Sequence, residues 1–271
     1  MEEHINTISI DRLCASFARI MGADAPAQAA PPHPELDAFV ETALDGAQAD
    51  RLFLFNPDAV AQWLVEKYPY LLREVTQHTQ LRLPLVTVMP SVTPVCFGTM
   101  YTGAQPAVHG IRKYEKPVIT LDTLFDAVLR SGKKAAIVAD RDSSLAHIYN
   151  ERNMDYYFYD TVEEVNAAAC DLIREDRYDL LVVYNKNYDS IMHKFGPESP
   201  EALGELRYNA AMFAVFARLI EKHWKGHNTI LGFATDHGCH AIDQGCGSHG
   251  LDMEEDLNIL HFYGARKATE K

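Results

Sequence analysis

The chain of 271 residues is long enough for one large α/β domain, and its 47% hydrophobic and 23% charged residues are typical of a globular protein with a sizeable core. The formal net charge of −13 argues against a nucleic-acid polymer as partner, because proteins that bind such polymers normally carry an excess of basic residues. An acidic protein that binds an anionic substrate also needs a local source of positive charge, and metal ions can supply it.

The first predicted element is an amphipathic helix over residues 9–21, whose apolar residues Ile10, Leu13, Phe17 and Ile20 share one face. Residues 1–35 are interpreted as this helix with an Ala/Pro-rich connector at 22–35, and residues 36–271 as a single large domain. The N-terminus lacks the basic and apolar regions of a signal peptide, and no run reaches the roughly 18 apolar residues of a membrane span. The five cysteines are scattered and form no C-x-x-C pair. We therefore expect a cytoplasmic protein without a membrane partner.

From residue 51 onward, short apolar strands alternate with amphipathic helices. Strands are predicted at 51–55, 85–88, 135–139, 179–184, 229–234 and 258–263, and helices at 59–67, 121–131, 162–175 and 200–224. Nearly continuous apolar strands separated by helices are typical of a mostly parallel sheet that is covered on both faces. The predicted fold class is α/β, a three-layer sandwich with a mostly parallel central sheet.

Polar residues follow several of the predicted strands, at the edge of the sheet where ligands bind in such folds. These residues are Asp58, Thr93, Asp140, Asp189 and Asp236. Strand ends carry polar residues in many α/β proteins, so this placement leaves a structural role open for each of them. Asp140 is interpreted only as a residue that supports the site.

Thr93 is followed by Pro94, which is the form of a helix N-cap with proline at the first helical position. A helix N-terminus favours an anion, because its backbone N–H groups are free and its dipole end is positive. The pattern fits either a simple cap or a hydroxyl that meets a phosphate.

Asp189 and His193 are four residues apart, so on a helix their side chains could converge on one cation. The pair alone would fit a surface ion pair more simply. A second pair, Asp236 and His237, follows an apolar strand directly, and Gly238 permits the sharp turn that both side chains need to reach one metal ion.

His240 and His249 lie in the same Gly-rich loop as His237. A structural histidine is more often a single residue on an apolar face, so three histidines in one loop favour a metal site.

Together these segments resemble the alkaline phosphatase superfamily and, within it, the type I phosphodiesterase/nucleotide pyrophosphatase family. The resemblance covers residues 50–264. It rests on an Asp after the first core strand, then T-P-x-C-x-x-T-M-Y-T-G with a V-H-G-I turn, then D-x-x-x-H-x-x-G-P, T-D-H-G and G-x-H-G, in this order. It implies an alkaline-phosphatase-like catalytic domain, here a minimal version without a large cap because only a short loop separates His237 from His249.

The resemblance also implies a metal-dependent phosphoric ester hydrolase with two divalent ions. One ion would be held by Asp189, His193 and His249, and the other by Asp58, Asp236 and His237, with Thr93 as the nucleophile that bridges toward both. Oxygen and imidazole ligands favour zinc, with manganese or iron as alternatives. Asn56 or Asp50 could replace Asp58, which is preferred as the carboxylate at the strand-to-helix turn.

Four residues are weaker candidates for contact with the substrate, namely Cys96, Arg112, Lys113 and His240. Cys96 lies three residues after Thr93. Arg112 and Lys113, with Lys116, follow the predicted nucleophile helix and could bind an anion or form a solvated basic patch. His240 could line the site or support it.

The favoured function is hydrolysis of a small phosphate-containing substrate, a phosphodiester or a nucleotide pyrophosphate, through a phospho-Thr93 intermediate. Phosphonate hydrolysis, phosphomonoester hydrolysis and other transfer reactions on the same two-metal scaffold are alternatives, and a non-catalytic binding protein is less favoured. Because the loop that could carry a cap is short, the substrate pocket would be built from other parts of the chain or from the partner subunit of a homo-oligomer.

Overall fold

The computed structural model describes residues 4–269. Residues 1–3 of the predicted N-terminal segment 1–35, and residues 270–271 of the predicted domain 36–271, lie outside the described residues. The main sheet consists of β1 (Arg51–Pro57), β2 (Leu81–Val86), β3 (Ala135–Asp140), β4 (Asp155–Tyr159), β5 (Leu180–Asn185), β6 (Thr229–Phe233) and β9 (Asn258–Arg266), and β7 (His240–Ile242) and β8 (Cys246–Ser248) form a separate hairpin.

The helices precede, connect and follow these strands. They are α1 (Arg12–Ile20), α2 (Pro34–Ala43), α3 (Gln62–Lys67), α4 (Arg73–Thr76), α5 (Thr93–Thr102), α6 (Pro106–His109), α7 (Leu124–Arg130), α8 (Ser144–Ile148), α9 (Val162–Glu175), α10 (Asn187–Phe195), α11 (Pro200–His223) and α12 (Glu254–Leu257), with short 3₁₀ turns at Pro69–Leu72 and Asp243–Gly245. Within residues 4–269, no helix combines the length and the apolar character needed to cross a bilayer.

The main sheet has the strand order β2-β9-β6-β1-β5-β3-β4. The five strands from β6 to β4 are parallel to one another, and β9 runs antiparallel to both of its neighbours. The predicted mostly parallel sheet is confirmed. Because β1 lies between β5 and β6, the segments that follow these three strands meet at the middle of one sheet edge.

Two hydrophobic cores lie on opposite faces of the sheet, because successive side chains of a strand point to opposite faces. Along β1, Leu52 and Leu54 belong to one core and Phe53 and Phe55 to the other. The first core packs against α1, α5 and α7, and the second against α9 and α11. This arrangement is the three-layer α/β sandwich that the sequence predicts.

Several element ends differ from the prediction for local physical reasons. The strand predicted at 85–88 is β2, which begins at Leu81 and leaves the sheet after Val86, so the following residues form the loop before α5. β4 is absent from the predicted strands. It lies at the edge of the sheet and is only half-buried, so its residues lack the apolar run of a central strand.

Helix α1 is part of the first core. Phe17 is fully buried, and its ring packs edge-on against Tyr263 of β9 at a centroid distance of 6.1 Å.

Replacing Phe17 by alanine should therefore lower the free energy of unfolding by about 3–5 kcal/mol, the usual cost of a large cavity. Denaturant titration measures this, with the exposed Arg19→Ala as control. A loss below about 1 kcal/mol for Phe17→Ala would show that α1 contributes little to the folded domain.

Candidate active site

Two groups of acidic and histidine side chains lie at the carboxyl edge of the sheet. Asp189, His193 and His249 form the first group, and Asp58, Asp236 and His237 the second. In each group, one possible ligand atom from each residue lies within 4.8 Å of the others. The structure therefore brings together, in the predicted grouping, the six side chains proposed as metal ligands.

The sheet order explains how distant parts of the sequence meet here. Asp58 follows β1 directly, and Asp236 and His237 follow the neighbouring strand β6. Asp189 and His193 lie one turn apart on α10, which begins just after β5, the other neighbour of β1. The two groups thus come from the ends of three adjacent parallel strands.

Two glycines allow the loops to approach closely. A Cβ atom on Gly238 would lie 2.0 Å from the carbonyl oxygen of Glu255, and one on Gly247 would lie 2.3 Å from Sδ of Met192. Since real Cβ atoms do not come so close to other atoms, a larger residue would push the turn after His237 or the hairpin strand β8 away. The second contact keeps the loop that carries His249 against α10.

All three histidines of the two groups are oriented by the backbone. The Nδ1-to-oxygen distances are 3.0 Å for His193 and the Gly247 carbonyl, 2.9 Å for His237 and the Gly238 carbonyl, and 2.8 Å for His249 and the Ser91 carbonyl. A carbonyl can only accept, so Nδ1 must carry the hydrogen in each ring. In a neutral imidazole this leaves the lone pair of Nε2 free, which is the usual state of a metal-bound histidine.

The free nitrogen atoms face carboxylate oxygens that lack hydrogen-bond partners. Oδ1 of Asp58, Oδ1 of Asp189 and Oδ2 of Asp236 are buried and accept no hydrogen bond from any residue within 4–269. Nε2 of His193 and of His249 lie 3.2 and 3.4 Å from the Asp189 oxygen, and Nε2 of His237 lies 3.3 Å from the Asp236 oxygen and 3.4 Å from the Asp58 oxygen.

These separations fit a shared cation in each group. In a tetrahedral shell with bonds of about 2.0–2.1 Å, neighbouring ligand atoms lie about 3.4 Å apart. Lone pairs that face each other at this distance repel unless a positive charge lies between them. The donor set and its spacing therefore fit a divalent metal ion better than an ordinary hydrogen-bonded cluster.

The electrostatics of the second group also call for positive charge. Burial, with a contribution from the Asp189 carboxylate, raises the pKa of Asp58 to about 7. Burial and the Asp58 carboxylate raise the pKa of Asp236 well above its usual value. Both shifts mean that the charged carboxylates lack sufficient compensation from the protein alone, which a dication would supply.

Thr93 is not the cap of α5. The N-cap is Val92, and Thr93 is the first helical residue, with no side-chain capping hydrogen bond at this helix end. The Thr93 hydroxyl oxygen instead lies 3.4 Å from Oδ2 of Asp58 and 3.3 Å from Nε2 of His237. The interpretation as an N-cap was wrong by one position, and the hydroxyl is free for another role.

A cavity of about 440 Å³ opens onto this site. Its volume is within the range of small-molecule binding sites. It is lined by Asp58, Thr93, Tyr114, Lys116, Asp140, Asp142, Ser143, Ser144, Tyr184, Lys186, Asp189, Ser190, His193 and His249. The Thr93 hydroxyl and ligands of both groups therefore share one cavity with two lysines.

Two of the weaker substrate candidates lie outside this cavity because they belong to the surrounding structure. Cys96 is fully buried on α5, and burial raises the pKa of its thiol well above the usual value. His240 is almost fully buried, and its Nδ1 lies 2.7 Å from Oδ1 of Asp256. Asp256 also accepts a hydrogen bond from the backbone N–H of Leu251. His240 thus helps to anchor the loop that bears His249.

Of the three residues of the predicted basic patch, only Lys116 lines the cavity. Arg112 is exposed and donates to the carbonyl of Ala107, and Lys113 is exposed and pairs with Glu115 at 3.4 Å. Neither side chain lines the cavity. Lys116 does line it, although the sequence pattern favours a solvated role for all three residues.

Tyr184 was missed by sequence reasoning. It is the last residue of the predicted strand 179–184, and its hydroxyl donates to Oδ2 of Asp58. The register of β1 and β5 places Tyr184 beside Asn56. Its placement at the end of a strand was the available signal, but the neighbouring strand that carries its partner could not be identified without the sheet order.

The surroundings of β1 show which of Asp50, Asn56 and Asp58 belongs to the second group. The Asn56 side chain donates to the carbonyl of Ala234 at 2.5 Å and accepts from the Tyr101 hydroxyl at 2.6 Å, so its polar atoms are used within the core. Asp50 precedes β1 at the opposite end of the strand and accepts from the backbone N–H of Asn228. Only Asp58 reaches the site.

A family model described as type I phosphodiesterase / nucleotide pyrophosphatase matches residues 130–261. No curated protein matches the sequence. Among solved structures, murine ectonucleotide pyrophosphatase / phosphodiesterase 5 is similar with a TM-score of 0.58 and 16% identity, over 72% of this chain and 58% of that chain. The human protein of the same name is similar with a TM-score of 0.61 and 12% identity, over 80% of this chain and 88% of that chain.

A further similar structure is an inactive form of the murine protein in complex with AMP, with a TM-score of 0.56 and 15% identity, over 72% of this chain and 59% of that chain. This chain thus spans less than two thirds of each murine chain. The family model agrees with the predicted resemblance over residues 130–261, and the structural likeness shows the alkaline-phosphatase-like fold.

Proposed function

We propose, on the premise that this chain is an enzyme of the phosphodiesterase/nucleotide pyrophosphatase type, that it hydrolyses a phosphodiester or a nucleotide pyrophosphate with Thr93 as nucleophile. The observation that carries the proposal is the position of the Thr93 hydroxyl, which has no capping role and lies 3.4 Å from Oδ2 of Asp58 and 3.3 Å from Nε2 of His237, while Thr93 and Asp58 line the cavity. The complex of a similar structure with AMP supports a nucleotide as one class of substrate.

Two divalent ions are part of the proposal, with zinc favoured over manganese or iron by the oxygen and imidazole donors. Asp189, His193 and His249 would hold one ion, and Asp58, Asp236 and His237 the other. When bound, such ions neutralise the charge of the phosphate and lower the pKa of a hydroxyl that contacts them. Tyr184 keeps Asp58 in position, since its hydroxyl donates to Oδ2 while Oδ1 stays free.

The reaction proceeds in two displacements at phosphorus. Oγ of Thr93 forms a bond to phosphorus while the bond from phosphorus to the leaving oxygen breaks, and the hydroxyl proton passes to the solvent of the cavity. Water then forms a bond to phosphorus, the bond to Thr93 breaks, and the free hydroxyl is restored. Thr93 is only 5% exposed, so bulk water has limited access to the first step.

The residues around the cavity favour a diester over a monoester. No arginine is among the cavity-lining residues within the described range 4–269, and the four residues that directly follow Thr93 on α5 are apolar and buried. A monoester dianion places more charge at the reacting phosphate and benefits more from an arginine there.

We therefore expect a higher kcat/KM for bis(p-nitrophenyl) phosphate than for p-nitrophenyl phosphate, measured with the same zinc-loaded protein. A matched comparison with Lys113→Ala, which alters a residue outside the cavity, should give the same ratio. A clear preference of the unmodified protein for the monoester would overturn the diesterase proposal and leave the family resemblance intact.

A further inference from the structure

Two lysines line the cavity beyond the metal ligands, and both are positioned by one loop. Lys116 lies in the segment between α6 and α7, and Lys186 lies between β5 and α10. Both side chains contact residues 140–142, which begin at Asp140, the last residue of β3. Residues 140–142 thus hold two ammonium groups from distant segments of the chain at the same cavity.

The charge of Lys116 is held in place but not neutralised by a direct partner. Its Nζ donates to the carbonyl oxygen of Asp142 at 2.5 Å, and no carboxylate within residues 4–269 lies within salt-bridge distance of it. The ring of Tyr114 lies 5.6 Å from Nζ and covers one side of the half-buried ammonium group. Burial lowers the pKa of Lys116, so an anion that entered the cavity would offset this cost.

Lys186 is oriented by Asp140. Its Nζ lies 2.7 Å from Oδ2 of Asp140, a carboxylate that is almost fully buried. Oδ1 of the same carboxylate accepts from the backbone N–H of Asp142, whose carbonyl holds Lys116. Asp140 therefore fixes one lysine directly and the other through the loop. An ammonium group has three donors, so each lysine keeps two that these contacts do not use.

We infer that Lys116 and Lys186 form a binding site for a second anionic group of the substrate, separate from the phosphate that reacts at Thr93. This rests on the proposed function, because it assigns the reacting phosphate to the metal ligands and Thr93. The implied substrate class is a small phosphate ester or pyrophosphate whose organic or leaving group carries its own carboxylate or phosphate. An uncharged group would leave the Lys116 ammonium without an anionic partner, and Lys186 with Asp140 alone.

The test compares ligands that differ only in the second anion. Phosphoglycolate and ethyl phosphate have nearly the same shape, but only the former carries a carboxylate. Ethylene glycol bisphosphate and 2-hydroxyethyl phosphate make the same comparison for a second phosphate. Isothermal titration calorimetry of the zinc-loaded protein should show about tenfold tighter binding for the charged member of at least one pair, the gain of a charge-assisted contact.

The double variant Lys116→Ala, Lys186→Ala should lose this tenfold difference and keep its affinity for ethyl phosphate within about twofold. Lys113→Ala is the matched control, because its lysine lies on the same segment outside the cavity, and it should keep the difference. The pair that shows the difference identifies the second anion as a carboxylate or a phosphate.

Equal affinities within both pairs for the unmodified protein would overturn the inference. An equal loss for charged and uncharged ligands in the double variant would also overturn it, since the lysines would then bind the reacting phosphate. Turnover of bis(p-nitrophenyl) phosphate is measured separately on the same preparations. Its absence in the unmodified protein contradicts the proposed function, whereas the difference between paired ligands does not depend on turnover.

Discussion

Replacement of Thr93 by alanine is expected to reduce turnover of a phosphodiester by on the order of 10³-fold or more, the usual effect of removing a nucleophile. The hydroxyl lies at hydrogen-bond distance from Asp58 and His237 and caps no helix, so its loss would remove the proposed covalent route without the loss of a helix cap. Steady-state kinetics with bis(p-nitrophenyl) phosphate measures the effect.

The conservative variant Thr93→Ser distinguishes the loss of the hydroxyl from other effects of a substitution at position 93. It keeps a hydroxyl at the first position of α5 and should retain far more turnover than Thr93→Ala. Both variants should bind as much metal as the unmodified protein, because the six other side chains remain. Near-normal turnover of Thr93→Ala would show that water attacks the substrate directly and that no phospho-Thr93 intermediate is needed.

Removal of the metal ions is the second change with a large expected effect. Chelation should abolish turnover, and added zinc should restore it, because each group of ligands leaves unpaired carboxylate oxygens without a cation. Elemental analysis of the reconstituted protein should find about two ions per chain, one for each group of three ligands.

Variants test whether the two groups act as separate sites. Asp189→Asn removes the one carboxylate of the first group and Asp236→Asn one of the two carboxylates of the second, and each should lower the metal content by about one ion per chain. Asp142→Asn is the control, since this exposed carboxylate lines the same cavity but belongs to neither group. A reconstituted protein that binds no metal would contradict the proposed mechanism.

The two groups of Asp and His side chains could largely be predicted from the sequence, because local rules bear on most of their members. Asp236 and His237 follow two residues after the apolar strand β6, and Gly238 is required there by a close contact. Asp189 and His193 have helical spacing, and α10 is a helix. The sequence favours Asp58 over Asn56 only because Asp58 is a carboxylate, and the hydrogen bonds of Asn56 to the core supply the structural reason.

The lining of the cavity could not be predicted in the same way. Lys186 lies three residues before Asp189 and has the pattern of a solvated residue near a helix start. Its position in the cavity depends on the adjacent placement of β3 and β5, which brings Oδ2 of Asp140 to 2.7 Å from its Nζ. Lys116 could not be distinguished from Arg112 and Lys113 for the same reason. Which charged side chains line the cavity depends on contacts between segments that are far apart in the sequence.

The three backbone carbonyls that orient His193, His237 and His249 have a consequence for how this protein tolerates mutation. In many metal sites a carboxylate side chain performs this task, and one substitution of that residue weakens metal binding. A main-chain carbonyl is present whatever residue occupies the position, so the orientation of these imidazoles is sensitive to loop geometry rather than to side-chain identity. Asp58 differs, because Tyr184 positions it through a side chain. A substitution of Tyr184 should therefore change the geometry of the site more readily than a substitution of Ser91, Gly238 or Gly247 changes it through the backbone carbonyls.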